Sequence, residues 1–449
     1  MHSRKGLIPH PLLALTNHGK GQGNRFFKKD DKMKKSSYIL ILIIVLLFSP
    51  KYVSANSTDI QSAIANSHHP YFPGELLVKF KDGVSQKAAL YIHSQLGISE
   101  IIEDFKGWYQ IIAVATGREK EVAKSYLKRD EVEYAEPNYY RSFNSIPNDE
   151  FYHLQWNFPL INLPDAWDIS TGSGATVAVV DSGVNPFGSD SFGRFSENRV
   201  LPGHNAILRL PGGIDFNGHG THVAGTIGQE TNNTAGVAGI AYNAKILPVK
   251  VMSFLGFGMD SWIIRGIRWA ADNGADIINL SIGGGAPSQA LENAVDYAYG
   301  KGVTVIAASG NDGFSEVDYP AAFENCIAVG AVQYGKEKTD YSNYGEALDL
   351  VAPGGDLDED QNGDGYGDGI LQETFNFLGI NWGYWYFTGT SMASPHVAGV
   401  AALIKSLHPE YGPDEIRQVL QDTAEDLGNP GWDERYGYGL VDAYAAVSH

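Results

Sequence analysis

Hydrophobic and polar positions first fall into a regular pattern at Glu75-Leu-Leu-Val-Lys-Phe80, where Leu76, Val78 and Phe80 alternate as on a half-buried strand. Helical spacing follows over Ser85–Leu96, then a strand over Trp108–Ala115, a helix over Arg118–Arg129 and a short strand over Val132–Ala135. This predicts a β-α-β-α-β unit, the content of a small α+β domain. Arg141–Asp149 is polar, contains a proline and reads as a linker. Beyond it the pattern changes. Ala175–Asp181, Ala244–Val251, Ala275–Ile282, Gly302–Ala308 and Cys326–Val332 are almost continuously apolar. Helical segments lie among and after them at Ser261–Asn273, Gln289–Gly300, Ser391–Leu407 and Pro413–Thr423. Apolar strands alternating with helices predict an α/β fold with a doubly wound parallel sheet. Sites in such sheets form at the carboxyl ends of the strands. Asp181, Gly283 and Gly310-Asn311 therefore fall on one rim.

The first 32 residues show no period. Met33-Lys34-Lys35 then precedes ten apolar residues, Ile39 to Phe48, and Val53-Ser54-Ala55 has the small-x-small form of a signal peptidase site. This predicts translation from Met33, a signal peptide cleaved after Ala55 and a secreted, extracellular protein. Ten apolar residues fall short of the roughly 20 that span a bilayer, so no stable membrane insertion is expected after cleavage.

Net charge is −19, yet the first 55 residues hold ten Lys/Arg against two Asp, leaving −27 on the rest. So acidic a body is a poor partner for nucleic acid. The excess serves solubility or is partly neutralised by bound cations. The single cysteine, Cys326, excludes an intramolecular disulfide. It opens an apolar run with no flanking base and reads as inert core.

Three segments carry chemistry. Val-Ala-Val-Val-Asp181-Ser-Gly ends a strand with a carboxylate. In Gly218-His219-Gly220-Thr221-His222-Val-Ala-Gly225 a histidine opens a helix, and in Gly389-Thr390-Ser391-Met-Ala-Ser-Pro395-His396 a serine opens another. A serine hydroxyl needs an imidazole to take its proton, and the imidazole needs a carboxylate to hold its tautomer. A helix N-terminus favours the developing negative charge. A fourth segment, Ala307-Ala-Ser309-Gly310-Asn311, places a side-chain amide just past a strand, where it can face a carbonyl oxygen.

These four segments, in the order Asp, His, Asn, Ser, resemble the subtilisin-like serine proteases over about residues 145–449. The resemblance implies a subtilisin-like fold, with Asp181 orienting, His219 as general base and acid, Ser391 as nucleophile and Asn311 in the oxyanion hole. Residues 71–142 resemble the family's propeptide, which implies an intramolecular inhibitor and folding chaperone. The expected domains are 1–55 extension and signal, 56–146 linker and propeptide, and 147–449 catalytic, with self-cleavage near Arg141–Ile146 and a monomeric product acting on polypeptides. The closing Gly437–Tyr444 looks like the family's final helix. His222 lies three residues after His219, but no HExxH pattern is present and the family's second histidine is structural. His396 reads as packing. Two rivals are a silent peptide-binding relative, which the intact Asp, His, Ser and Asn oppose, and an esterase, which lacks its Gly-x-Ser-x-Gly elbow here.

The resemblance also places Leu280-Ser281-Ile282-Gly283-Gly284 on one side of a substrate cleft and Gly256-Phe257-Gly258 on the other, with a peptide adding as a strand between them. Ser309 and Gly310 border the cleft. Asp318 falls at the base of the pocket for the residue before the cut. It either favours Lys or Arg there or turns outward as a solvated loop acid, and the second reading is the commoner fate of such a residue. Structural calcium is expected at two places. Asp358, Asp360, Asn362, Asp364 and Asp368 space oxygen donors as the start of a calcium loop does, although Gly369 stands where an EF-hand has its twelfth-position Glu. By resemblance, Asn233 and the carbonyls of Ala235 and Val237 form a second site, with Asp149 and Asp190 as candidate carboxylates.

Overall fold

The structure is a computed structural model and describes residues 6–7, 71–105, 109–139, 146–186, 199–376 and 381–449. The signal segment, Asp190 and most of the maturation window lie outside the described residues. The chain divides between Arg141 and Ser142 into two units, with Met1–His10 belonging to the second. Gly6–Leu7 (β1) is a strand of two residues that the sequence pattern does not announce. It pairs antiparallel with Trp385 and Tyr386 of the second unit.

The first unit contains Tyr71–Phe80 (β2), Gln86–Gln95 (α1), Ile101–Asp104 (β3), Gln110–Ala113 (β4), Glu119–Leu127 (α2) and Val132–Tyr139 (β5). The sheet order is β3-β4-β2-β5, antiparallel throughout. The topology is therefore β-α-β-β-α-β, the ferredoxin-like arrangement. The expected β-α-β-α-β pattern omitted β3. Its Ile-Ile-Glu-Asp sequence lacks alternation, and as an edge strand it exposes three of its four residues. Ser85 caps α1 by accepting from the Ala88 amide at 3.3 Å. The helix then buries Ala89, Ile92 and His93 on one stripe.

The second unit continues with Asn157–Leu160 (α3), Leu163–Ala166 (α4), Thr176–Asp181 (β6), His204–Asn205 (β7), Leu210–Pro211 (β8), His219–Gly228 (α5), Lys245–Lys250 (β9), Asp260–Asp272 (α6), Ile277–Leu280 (β10) and Gln289–Gly300 (α7). Thr304–Ala308 (β11), Ile327–Val332 (β12), Leu350–Pro353 (β13), Ile370–Asn376 (β14), Asn381–Phe387 (β15), Thr390–Leu407 (α8), Pro413–Asp422 (α9) and Ala443–Ser448 (α10) complete it. Eight strands form one sheet in the order β13-β12-β11-β10-β6-β9-β7-β8. Every pairing is parallel except β7 with β8. All six residues of β6 are buried, as befits a strand covered on both faces.

Side-chain alternation along β6 separates the two layers. Val180, Val249 and Val251 face Gly266 of α6, where a Cβ would lie 2.4 Å from Val251. Asp181 points to the other face, which carries α5 and α8. The closing helix begins only at Ala443, capped by Asp442, so Gly437–Asp442 leads into it rather than forming it.

Candidate active site

Asp181 is the last residue of β6 and is 1% exposed. Its Oδ1 accepts from the Ser182 amide at 2.6 Å. The neighbouring turn is crowded. A Cβ at Gly220 would sit 2.2 Å from the Gly183 carbonyl and 3.0 Å from Asp181 Oδ1, and one at Gly218 would sit 2.2 Å from the Phe375 carbonyl. Glycine on both sides of His219 is thus a steric requirement of bringing α5 onto the strand end. The result is His219 Nδ1 at 2.9 Å and 3.0 Å from the two Asp181 oxygens. In the neutral ring the proton therefore sits on Nδ1, and the basic nitrogen is Nε2.

Two buried groups in this corner escaped the sequence reading. Asp215 caps α5: its Oδ2 accepts from Gly218 N, Thr221 N and Thr221 Oγ1 at 3.0, 3.1 and 2.8 Å. An aspartate a few residues ahead of a helix start was its available signal. Lys250 stands in register with Asp181 on β9 and shares its face. Its Nζ donates to the carbonyls of Ser182 at 2.5 Å and Met252 at 3.0 Å. Burial lowers its pKa, and the negative charges of Asp215 and Asp181 oppose that.

Ser391 lies in the first turn of α8. Pro395, four residues on, has no N–H, so the Ser391 carbonyl lacks its helical partner. Ser281 fills the gap by donating Oγ to that carbonyl at 2.8 Å, and Ser391 Oγ donates to the Ser281 carbonyl at 3.0 Å. Asn279 donates to Ser281 Oγ and accepts from Ser394 Oγ, at 2.9 and 2.7 Å, behind them. Ser281 follows β10, which pairs directly with β6. The last pair of that ladder is Asn279 with Val179, two residues before Ser281 on one strand and two before Asp181 on the other. Asn311, past the end of β11, accepts through Oδ1 from Thr390 N at 2.8 Å and from Thr390 Oγ1 at 3.0 Å. Its Nδ2 makes no hydrogen bond among the described residues. The Ser391 amide, at the second helical position, has no intrahelical partner.

The expected histidine roles divide as follows. His222 Nε2 meets the carbonyls of Ile370 and Trp385 at 3.0 and 3.2 Å, and its ring stacks on Phe387. His396 is enclosed between Met392 O and Asn157 Nδ2, both at 2.8 Å, and burial pushes its pKa down to about 4. Cys326 is a buried thiol whose pKa burial raises.

Several substrate-site expectations change. Ser281 clamps the Ser391 turn rather than lining a surface. Ser309 is fully buried, with Oγ on Asn343 O at 3.0 Å, so only its backbone borders the cleft. Gly256 has φ 80° and closes a tight turn with Ser253, not a strand. Phe257 is exposed beside Trp262, and Gly258 follows it before α6. Gly283 is exposed, and Ile282 is buried beneath it. Asp318 does not turn outward. A Cβ at Gly310 would lie 2.7 Å from its Oδ2, and one at Gly283 3.4 Å away. The carboxylate thus lies against both cleft strands, and burial, then Asp312, raises its pKa.

Of the metal candidates, Asp149 is buried against the expected loop. It accepts from Asn232 N at 2.9 Å and Asn233 N at 3.4 Å. Asn233 Oδ1 accepts from Ala235 N at 2.8 Å, and Val237 is buried next in line. Asn232, Thr234 and Gly236 all have positive φ, at 62°, 69° and 64°. For a threonine that is strain of order 1–3 kcal/mol. In the other loop Asp360 accepts from the amides of Gly363, Asp364 and Gly365, and Asn362 and Asp364 from those of Asp364 and Tyr366. Asp358 is exposed there. Asp368 is 1% exposed, with Oδ2 on Gln361 N at 2.6 Å and Oδ1 without a hydrogen bond. As they stand, no three acidic, His or Cys side chains among the described residues converge as a metal cluster.

Comparison with known proteins gives a consistent picture. Residues 172–439 match the subtilase family, and residues 57–138 match the fervidolysin N-terminal prodomain. A thermophilic serine proteinase of Bacillus sp. (strain AK1) is 36% identical over 89% of this chain and 92% of its own length. Subtilisin BL of Lederbergia lenta is 40% identical over 66% of this chain and 98% of its own. Among solved structures, fervidolysin from Fervidobacterium pennivorans, described as a keratinolytic enzyme, superposes with TM-score 0.59 at 27% identity. It covers 84% of this chain and 61% of its own.

Proposed function

Because the chain belongs to the subtilase family, and is a serine endopeptidase carrying a prodomain, we propose that Ser391, His219, Asp181 and Asn311 perform peptide hydrolysis. The observation that carries this reading is the pairing of His219 Nδ1 with a buried Asp181 on the same rim as Ser391 and Asn311. Ser391 Oγ, which donates to the Ser281 carbonyl here, exchanges that partner for His219 Nε2 in the reaction. Catalytic hydrogen bonds commonly form only when substrate is bound. Oγ attacks the scissile carbonyl as Nε2 takes its proton, and Asp181 stabilises the imidazolium. The oxyanion receives the Ser391 N–H and Asn311 Nδ2 at the positive end of α8. A side-chain donor of this kind contributes about 3 kcal/mol in a relative. The imidazolium protonates the departing amine, and water then releases the acyl group by the same steps.

The substrate is an extended polypeptide lying beside Gly283. Asp318, held at the cleft floor, favours Lys or Arg before the cut. The prodomain acts as inhibitor and folding chaperone and is removed near Arg141–Ile146. The mature enzyme is a secreted monomer. Structural calcium suits the 231–237 loop: oxygen donors on Asp149, Asn233 and the Ala235 and Val237 carbonyls fit a hard cation, and the strained backbone there is consistent with one. Casein hydrolysis tests the core of this reading. Ser391→Ala is expected to abolish both cleavage and labelling by a serine-reactive phosphonate. Undiminished casein cleavage would end the assignment, and ester hydrolysis without casein cleavage would favour an esterase.

A further inference from the structure

The acidic loop 356–368 is fastened at both ends to the segment that carries Ser391. At its neck Asp356 N donates to Asp368 O at 2.9 Å. A Cβ at Gly355 would lie 2.4 Å from that same oxygen, so the two strands of the neck are in contact. From the first strand, the Gly355 carbonyl accepts from Tyr341 OH at 2.8 Å, and that hydroxyl accepts from the Gly389 amide at 3.1 Å. Gly389 also donates to Gly354 O at 3.1 Å. From the second strand, Ile370 pairs with Phe387. Both Gly389 and Phe387 lie within four residues of Ser391.

Within the loop, Asp368 stands apart from its neighbours. It is almost wholly buried, one carboxylate oxygen is held by Gln361 N, and the other has no hydrogen bond. A buried carboxylate oxygen left without a partner is costly unless a cation or donor completes it. Asp360 and Asp364 are near enough to act on it electrostatically. The donors are all oxygen, several and irregular in a Gly-rich loop, which suits calcium better than magnesium. Asp360 accepts from the amides of Gly363, Asp364 and Gly365, and Asp364 from Tyr366 N and from Asn362 Nδ2 at 3.1 Å, so ligation requires their carboxylates to swing toward Asp368.

We propose that Asp360, Asn362, Asp364 and Asp368 bind calcium, and that the bound ion tightens the Asp356–Asp368 neck and thereby fixes the Gly389–Ser391 turn. Asp368 then acts as the ligand nearest the neck, and Tyr341 is a positioning residue that relays its state. The second half of this proposal rests on Ser391 being the nucleophile.

Two measurements on the full chain test the halves separately. Chelated Ser391→Ala protein is titrated with terbium alone, excited through tyrosine; Tyr366 lies in the loop. Sensitised emission is expected to fall at least five-fold in Asp364→Asn, an exposed position that folding tolerates, and in Asp368→Asn. It should persist in Asn233→Ala and in Tyr341→Phe. Emission unchanged in both aspartate variants overturns the site. Separately, the rate of phosphonate labelling at Ser391 is measured with and without calcium. It is expected to fall about ten-fold on chelation, and Tyr341→Phe should abolish most of that dependence. Labelling indifferent to calcium, with terbium bound to the loop, overturns the relay. Absence of labelling even with calcium defeats the nucleophile reading instead and leaves the terbium result standing.

Discussion

The catalytic rim and the acidic loop are both rich in carboxylates, yet they treat them in opposite ways. On the rim, Asp181 is buried with His219, Ser182 and, across the strand, the cation of Lys250. Asp215 is likewise saturated by four donors from Asn217, Gly218 and Thr221. In the loop, Asp360 and Asp364 accept only from nearby loop amides and face solvent, and Asp368 keeps a buried oxygen unpartnered. The first region is held together by its own side chains. The second is the region for which a cation is proposed above. That difference follows from position: the rim rests on buried parallel strands, whereas the loop is an excursion between β13 and β14.

The sharpest way to break the comparison is Asp181→Asn. If rim geometry is prebuilt, the variant folds with an unchanged thermal midpoint to within a few degrees. Its kcat nevertheless falls about 10⁴-fold, because the amide no longer holds the imidazole in the required tautomer. Steady-state kinetics with a peptide anilide reads this. A fall below ten-fold would mean that Asp181 is not the orienting group.

Asp318 offers a smaller effect and an intermediate case, a carboxylate half-buried beside Gly283 and Gly310 whose charged neighbour is another carboxylate, Asp312. A hydrogen bond to a charged side chain is worth about 1.5–3 kcal/mol. Asp318→Gly should therefore cut the preference for Lys and Arg over Phe and Leu by about 10- to 100-fold. Because burial raises its pKa, the carboxylate is lost earlier on acidification than a solvated one. Preference for basic residues should then fade as pH falls through that raised value and recover above it. Peptide profiling across pH checks both points, and a preference unaltered by the substitution would return Asp318 to a structural role.

The sequence carried the rim well because its residues sit in short local segments at strand ends and helix starts. Apolar runs such as Val177–Val180 located the central strands for the same reason. Long-range packing was not legible. The Ser281–Ser391 exchange arises from Pro395 removing one helical hydrogen bond, which no local pattern reports. Lys250 reads as a lapse in an apolar strand until register places it beside Asp181. The edge strand β3 and the hairpin β14–β15 were missed because neither follows an inward-apolar alternation; Gln372, Glu373 and Thr374 are all fully buried. Local sequence leaves Asp318 open between pocket base and outward loop acid, because only the packing of Gly283 and Gly310 against it decides between them.

The central claim is that His219 activates Ser391. Labelling by a serine-reactive phosphonate, with peptide mapping by mass spectrometry, tests it most directly. The adduct should lie on Ser391, and its rate of formation should fall by at least 10³-fold, roughly the scale of a lost general base, in His219→Ala. An adduct on another serine, or labelling of Ser391 at full rate without His219, would contradict the account.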